Sequence, residues 1–208
     1  MNCRRAVLLL LVAALVGLFT PLAAPPAPAG AYPVQGSYKG EPLENCADPA
    51  VTPVPVGGYW YMYCTADPLN DADKAKSGAW NFHLIAILRS QDLLTWSYYG
   101  DALAKRPRWA APDAGLWAPD IQFANGKWYL YFSVAGTIGR QRTGDRSAIG
   151  VATSSSPAGP FTDSGTPVVE AQPGRWVIDP FAVKDEATGK LTHILYGSYA
   201  GGISARQL

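Results

Sequence analysis

The sequence predicts an all-β fold made of repeated four-stranded units, the pattern of a β-propeller. Three observations predict it. Glycine (21) and proline (18) make up roughly a fifth of the 208 residues, against a usual share of about 12%, so turns are frequent. Seven Trp, 11 Tyr and 6 Phe fall in short runs between those turns, as in strands. Three segments also repeat one order: an Asp-bearing strand start, a tight turn and an aromatic return strand. A hydrophobic share of 48% excludes intrinsic disorder, which needs low hydrophobicity and high net charge. The Gly and Pro content excludes a coiled coil or helical bundle.

The N-terminal 31 residues read as a secretory signal peptide. Arg4 and Arg5 form a positive start, Ala6 to Leu18 an apolar stretch too short to span a bilayer comfortably, and small residues near Ala27–Ala31 offer cleavage sites. The alternative is a membrane anchor. Cleavage leaves 15 Lys and Arg against 16 Asp and Glu, a net charge of −1. Such a chain lacks the basic face that nucleic acid requires and is not drawn to membranes. The expected location is extracellular. Residues 32–208 form the expected domain.

The first unit begins at Ala47-Asp48-Pro49, turns near Pro55-Val56-Gly57-Gly58 and returns as Tyr59 to Tyr63. An apolar strand, Leu84 to Leu88, and a fourth strand from Trp96 follow. The second unit begins at Trp117-Ala118-Pro119-Asp120-Ile121. Its turn, Asn125-Gly126, is a strong hairpin signal, and Trp128 to Ser133 return. Ala148 to Ala152 and the segment from Phe161 complete it. The third begins at Ile178-Asp179-Pro180, turns through Asp185 to Gly189 and returns as Leu191 to Gly197. Four short strands per repeated unit are the mark of a propeller blade. About two and a half blades are expected here.

First strands of successive blades run the same way around a central channel. Their starts therefore gather at one mouth, and Asp48, Asp120 and Asp179 are expected at equivalent places there. Trp117 and Tyr199 would stand beside them. Carboxylates between aromatic walls suit a sugar, with rings stacked on the aromatics and acids at the glycosidic bond. Cys46 and Cys64 flank the first hairpin, and export makes a bridge between them the expectation; the alternative is two unpaired buried thiols. His83 and His193 stand alone, without metal-ligand spacing. The acidic loop Asp67–Lys76 lacks the glycine of an EF-hand and reads as a solvated insertion. No metal or cofactor is expected.

Taken in order, Glu44-Asn45-Cys46-Ala47-Asp48-Pro49, Trp117-Ala118-Pro119-Asp120-Ile121, Ile178-Asp179-Pro180 and Gly197-Ser198-Tyr199-Ala200-Gly201-Gly202-Ile203 resemble glycoside hydrolase family 43. The resemblance covers residues 44–208. It implies a five-bladed propeller that hydrolyses arabinose- or xylose-containing plant cell-wall polysaccharide with inversion. Asp48 matches the general base and Asp179 the Asp that modulates the pKa of the acid. Trp117, Asp120, Ser198 and Tyr199 match substrate-binding positions; for Asp120 the alternative is a purely structural role. The last motif looks most like arabinan endo-1,5-α-L-arabinosidases, although Val177 stands where that subgroup usually has a small residue. The family's general acid is a Glu well past the Ile-Asp-Pro motif. Glu41, Glu44, Glu170 and Glu186 do not occupy first-strand positions, so the chain reads as an N-terminal part of the domain, inactive on arabinan by itself. The alternatives are a β-xylosidase or α-L-arabinofuranosidase of the same family, a sugar-binding propeller without chemistry, and a protein-interaction propeller.

Overall fold

A computed structural model describes residues 34–137, 146–197 and 201–208. The signal-peptide expectation, and those for Ser198 and Tyr199, lie outside the described residues.

The described chain is all-β, in three sheets. The first contains β1 (Gln35–Tyr38), β2 (Glu41–Pro42), β3 (Ala50–Val51), β4 (Trp60–Tyr63), β5 (Ala86–Ser90) and β6 (Thr95–Asp101), in the order β2-β1-β6-β5-β4-β3. The second contains β7 (Leu116–Ala124), β8 (Lys127–Val134), β9 (Ala148–Ser154) and β10 (Thr162–Asp163), an antiparallel meander. The third contains β11 (Ile178–Lys184), β12 (Leu191–Gly197) and β13 (Ser204–Gln207). Asn125 and Gly126 both take positive φ, 50° and 73°, and close the β7–β8 hairpin. This is the conformation that such a two-residue turn demands.

Strand alternation decides what each sheet buries. On β8, Leu130, Phe132 and Val134 face the first sheet, where Tyr61, Tyr63 and Ile87 meet them. Its other face sends Tyr131 toward the third sheet, to pack with Ile149, Val177, Ala182 and Ile194. Each fully buried side chain of the size of Phe132 or Leu130 stabilises the fold by about 1.5–3 kcal/mol. The sheets therefore stack through two apolar layers. Their first strands β3, β7 and β11 form sheet edges, and β7 lies against both of the others.

Two features depart from the sequence expectation. β1 joins the first sheet parallel to β6, outside the expected four strands. The Asp67–Lys76 loop is not a solvated insertion, because Leu69, Asn70 and Asp73 are buried. The Asn70 amide donates to the carbonyls of Tyr38 (3.1 Å) and Pro42 (2.9 Å). Leu69 packs with Tyr38, Leu88 and Trp96. The loop is an underlay that fastens β1 and β2 to the sheet: Asn70 bonds to backbone carbonyls, and Asp73 to Tyr38, His83 and the Leu69 N–H.

Candidate active site

Three residues at the start of first strands share an unusual backbone. Asp48, Ala118 and Asp179 have φ of 49°, 43° and 55°, and each precedes a proline: Pro49, Pro119 and Pro180. A left-handed non-glycine residue costs about 1–3 kcal/mol, and a following proline disfavours the right-handed helical alternative. The ladders show what this conformation does. Trp117 pairs with Ser133 and Asp120 with Tyr131, so the two residues between them oppose one partner. Ile178 pairs with Gly197 and Phe181 with Leu195 in the same way. The extra residue forms a bulge that re-aims its side chain.

This register corrects the expected equivalence of the three acids. Asp48 and Asp179 occupy matching positions, and in the second sheet that position belongs to Ala118. Asp120 matches Ala50 and Phe181 instead. Its carboxylate accepts the Ala182 backbone N–H from β11 (2.8 Å) and the Gln122 amide (3.1 Å). Burial pushes its carboxyl above the ordinary carboxylate range, against those hydrogen bonds, which favour the charged form. Asp120 is a strut between the second and third sheets.

Asp48 and Asp179 are both exposed. Partial desolvation raises the Asp179 carboxyl above its ordinary range, and the negative charge of Asp48 raises it further. The two acids thus lie within each other's field. Asp48 Oδ2 accepts a hydrogen bond from Thr65 Oγ1 at 2.7 Å. The Asp179 backbone N–H donates to Ser133 Oγ at 2.9 Å. Asp179 also borders a concavity of ≈ 550 Å³ on the third sheet, walled by Ile178, Phe181, Leu195 and Ile203.

Trp117 is half-buried and stacks on Trp176, ring centroids 6.3 Å apart and planes 23° from parallel. Gly115 makes room for it, because a Cβ there would stand 2.3 Å from Trp117 Nε1. Sequence reading missed Trp176, Thr65 and Ser133. Alignment of the return strands offered a signal for the last two: Thr65 follows Tyr63-Cys64 as Ser133 follows Tyr131-Phe132. Cys46 and Cys64 are joined by a disulfide, with Cα atoms 5.0 Å apart, next to Asp48 and Thr65. His193 is exposed on β12. Glu41 lies exposed on the short strand β2, and Glu186 is exposed in the turn after β11, at the far end of that strand from Asp179. Among the described residues, no group of three or more His, Cys, Asp or Glu is arranged to hold a metal.

The sequence profile of glycosyl hydrolases family 43 matches residues 44–197. The extracellular exo-α-(1→5)-L-arabinofuranosidase ArbA of Cellvibrio japonicus (strain Ueda107) is 33% identical over 165 residues, 73% of this chain and 41% of that protein. The extracellular endo-α-(1→5)-L-arabinanase 1 of Bacillus subtilis (strain 168) is 28% identical over 185 residues, 86% of this chain and 51% of that protein. Among solved structures, the Cellvibrio cellulosa α-L-arabinanase complexed with arabinohexaose superposes with a TM-score of 0.58 at 28% identity, over 80% of this chain and 49% of that one. The chain thus spans about half the length of these proteins.

Proposed function

Because the chain belongs to glycosyl hydrolases family 43, we propose that it carries the water-activating part of an inverting, arabinan-degrading glycosidase built on a β-propeller. The observation that carries this reading is the matched pair Asp48 and Asp179. They stand at the same bulge position of the first and third sheets and are electrostatically coupled. In this reading Asp48 is the general base: it takes a proton from a water on the face of the sugar away from the leaving group, and the water oxygen attacks the anomeric carbon. Asp179 supplies negative charge that keeps a neighbouring general acid protonated, as like charges do. Trp117, backed by Trp176, is a wall for a sugar ring, and Ser198 and Tyr199 are assigned to substrate binding by their motif alone. Asp120 serves by holding β11 in place. Export, with residues 1–31 as signal peptide, accords with the disulfide and with the relatives named extracellular.

The test separates binding from chemistry. An aryl α-L-arabinofuranoside whose phenol departs without protonation needs the base and not the acid. Asp48→Asn is expected to lower its turnover by about 10²–10⁴-fold while arabinohexaose binding, followed by calorimetry, persists. Unchanged turnover in Asp48→Asn would overturn the role of Asp48. Tighter binding of xylohexaose than of arabinohexaose would overturn the arabinan assignment.

A further inference from the structure

We propose that Thr65 is a positioning residue for Asp48, and that it selects Oδ1 as the atom that receives the proton from water. The inference rests on the reading of Asp48 as the base. Thr65 follows β4 and is 6% exposed. Its backbone N–H donates to the Ala47 carbonyl (3.0 Å), so its place beside Asp48 is set by the ladder. A hydroxyl has one proton and two lone pairs. The Ala118 backbone N–H, from the second sheet, donates to Thr65 Oγ1 at 2.9 Å. That contact occupies the oxygen as an acceptor and turns its single proton away from Ala118. Asp48 Oδ2 waits 2.7 Å off on the other side. The result is a directed relay, Ala118 N–H to Thr65 Oγ1–H to Asp48 Oδ2, whose last link is charge-assisted. With Oδ2 engaged, Oδ1 is the oxygen left to face water.

The relay crosses a sheet boundary, and the next boundary repeats its first half. Ser133 occupies on β8 the rung that Thr65 occupies after β4, is fully buried, and accepts the Asp179 N–H at 2.9 Å. At both boundaries a buried hydroxyl therefore receives the N–H of the left-handed residue of the following sheet. In the first boundary that hydroxyl also orients the acid of its own sheet. The setting of Asp48 thus depends on how the second sheet docks, and that of Asp179 on β8. A carboxylate on an exposed strand start would otherwise rotate freely.

The experiment compares Thr65→Val, which keeps the shape and removes the hydroxyl, with Thr65→Ser, which keeps the hydroxyl. Two readouts do not depend on turnover. In Thr65→Val, amide hydrogen exchange at Ala118 is expected to quicken about tenfold, the loss of one hydrogen bond. The Asp48 Cγ resonance, in protein labelled with ¹³C at aspartate, is expected to move at fixed neutral pH. Both should stay at wild-type values in Thr65→Ser. With the activated aryl arabinofuranoside, Thr65→Val should lower kcat about tenfold with KM unchanged, on the scale of one charged hydrogen bond, and Thr65→Ser should restore it. Unchanged exchange and resonance in Thr65→Val would overturn the relay. So would equal losses in both variants, or a loss carried wholly by KM. If Asp48→Asn keeps its turnover, the base reading alone falls, and the exchange and resonance data still decide whether Thr65 holds Asp48.

Discussion

Replacement of His83 by Leu is expected to destabilise the first sheet severely, with a dependence on pH that identifies the cause. His83 is 3% exposed. Its Nδ1 lies 2.7 Å from Asp101 Oδ1 and its Nε2 3.0 Å from Asp73 Oδ2. When the ring is protonated, both nitrogens donate, one to each carboxylate. Asp73 also accepts from Tyr38 Oη (2.8 Å) and the Leu69 N–H (2.8 Å), and Lys39 Nζ lies 3.3 Å away. Asp101 accepts from Tyr98 Oη (2.9 Å) and the Leu84 N–H (2.9 Å). The cluster joins β1, the buried loop and β6. His83→Leu leaves two facing carboxylates without the cation between them, a loss of about 3–5 kcal/mol for a broken buried pair. At about 2–4 °C per kcal/mol for a domain of this size, the melting temperature should fall by roughly 6–20 °C.

Burial alone would push the His83 imidazole down, and the contacts with Asp101 and Asp73 outweigh it, so its pKa is raised. Its contribution is complete below the ordinary imidazole value of about 6.5 and fades as pH climbs through the raised native value. Asp73 and Asp101 are lowered: burial would raise them, and hydrogen bonds outweigh it, from Leu69, Tyr38 and His83 to the first and from His83, Leu84 and Tyr98 to the second. Their contribution is complete above about pH 4 and is lost as pH falls through the depressed native values. The gap between wild type and His83→Leu should therefore be widest between about pH 4 and 6.5 and narrow on either side. Urea melts at acidic, intermediate and alkaline pH measure it. A gap under about 1 kcal/mol at the intermediate pH, the scale of an exposed pair, would refute the buried-cluster reasoning. So would a gap that stays constant into the alkaline range.

Three further outcomes are expected. Cys46→Ser with Cys64→Ser releases a bridge across a separation of 18 residues, which should cost about 3 kcal/mol by loop entropy; calorimetry that finds equal melting temperatures would count against the bridge. Gly115→Ala drives Trp117 off Trp176, because the added Cβ meets the indole at 2.3 Å; about 1–3 kcal/mol of overpacking, a changed tryptophan emission and weaker arabinohexaose binding should appear together, and undiminished binding would remove Trp117 from the wall. Asp48→Asn removes the like charge that raises Asp179, so the Asp179 titration followed by ¹³C resonance should shift to lower pH; a midpoint that stays in place would show that the two acids do not share one mouth.

Much of the fold was legible because its signals are local. The aromatic runs Tyr59 to Tyr63 and Trp128 to Ser133, and the Asn125-Gly126 turn, are properties of adjacent residues. The spacing of Cys46 and Cys64 around one hairpin is equally local. Repetition along the chain then revealed the sheets and, through the X-Pro motifs, Asp48 and Asp179. Asp120 shows where letters mislead. It follows the Ala118-Pro119 pair, whereas Asp48 and Asp179 are themselves the residues before proline, so the bulge places it on another rung and turns its carboxylate to the Ala182 N–H. Likewise an acidic loop with the composition of a solvated insertion became an underlay, because Asp73 found His83, Tyr38 and the Leu69 N–H.

By itself, then, the sequence determined the strands of the repeated units, where they turn, and which carboxylates open the first and third sheets, but not the added strands β1 and β2. Ladder register and the partners of polar atoms were decided only by the tertiary structure. Thr65 and Ala118 are separated by 53 residues, as Asp120 and Ala182 are by 62, and no periodicity within a strand encodes such a meeting. The physical reason is that a hydroxyl or carboxylate left beside a buried sheet edge must find a partner there. Which backbone N–H arrives depends on how the apolar faces of neighbouring sheets settle against one another.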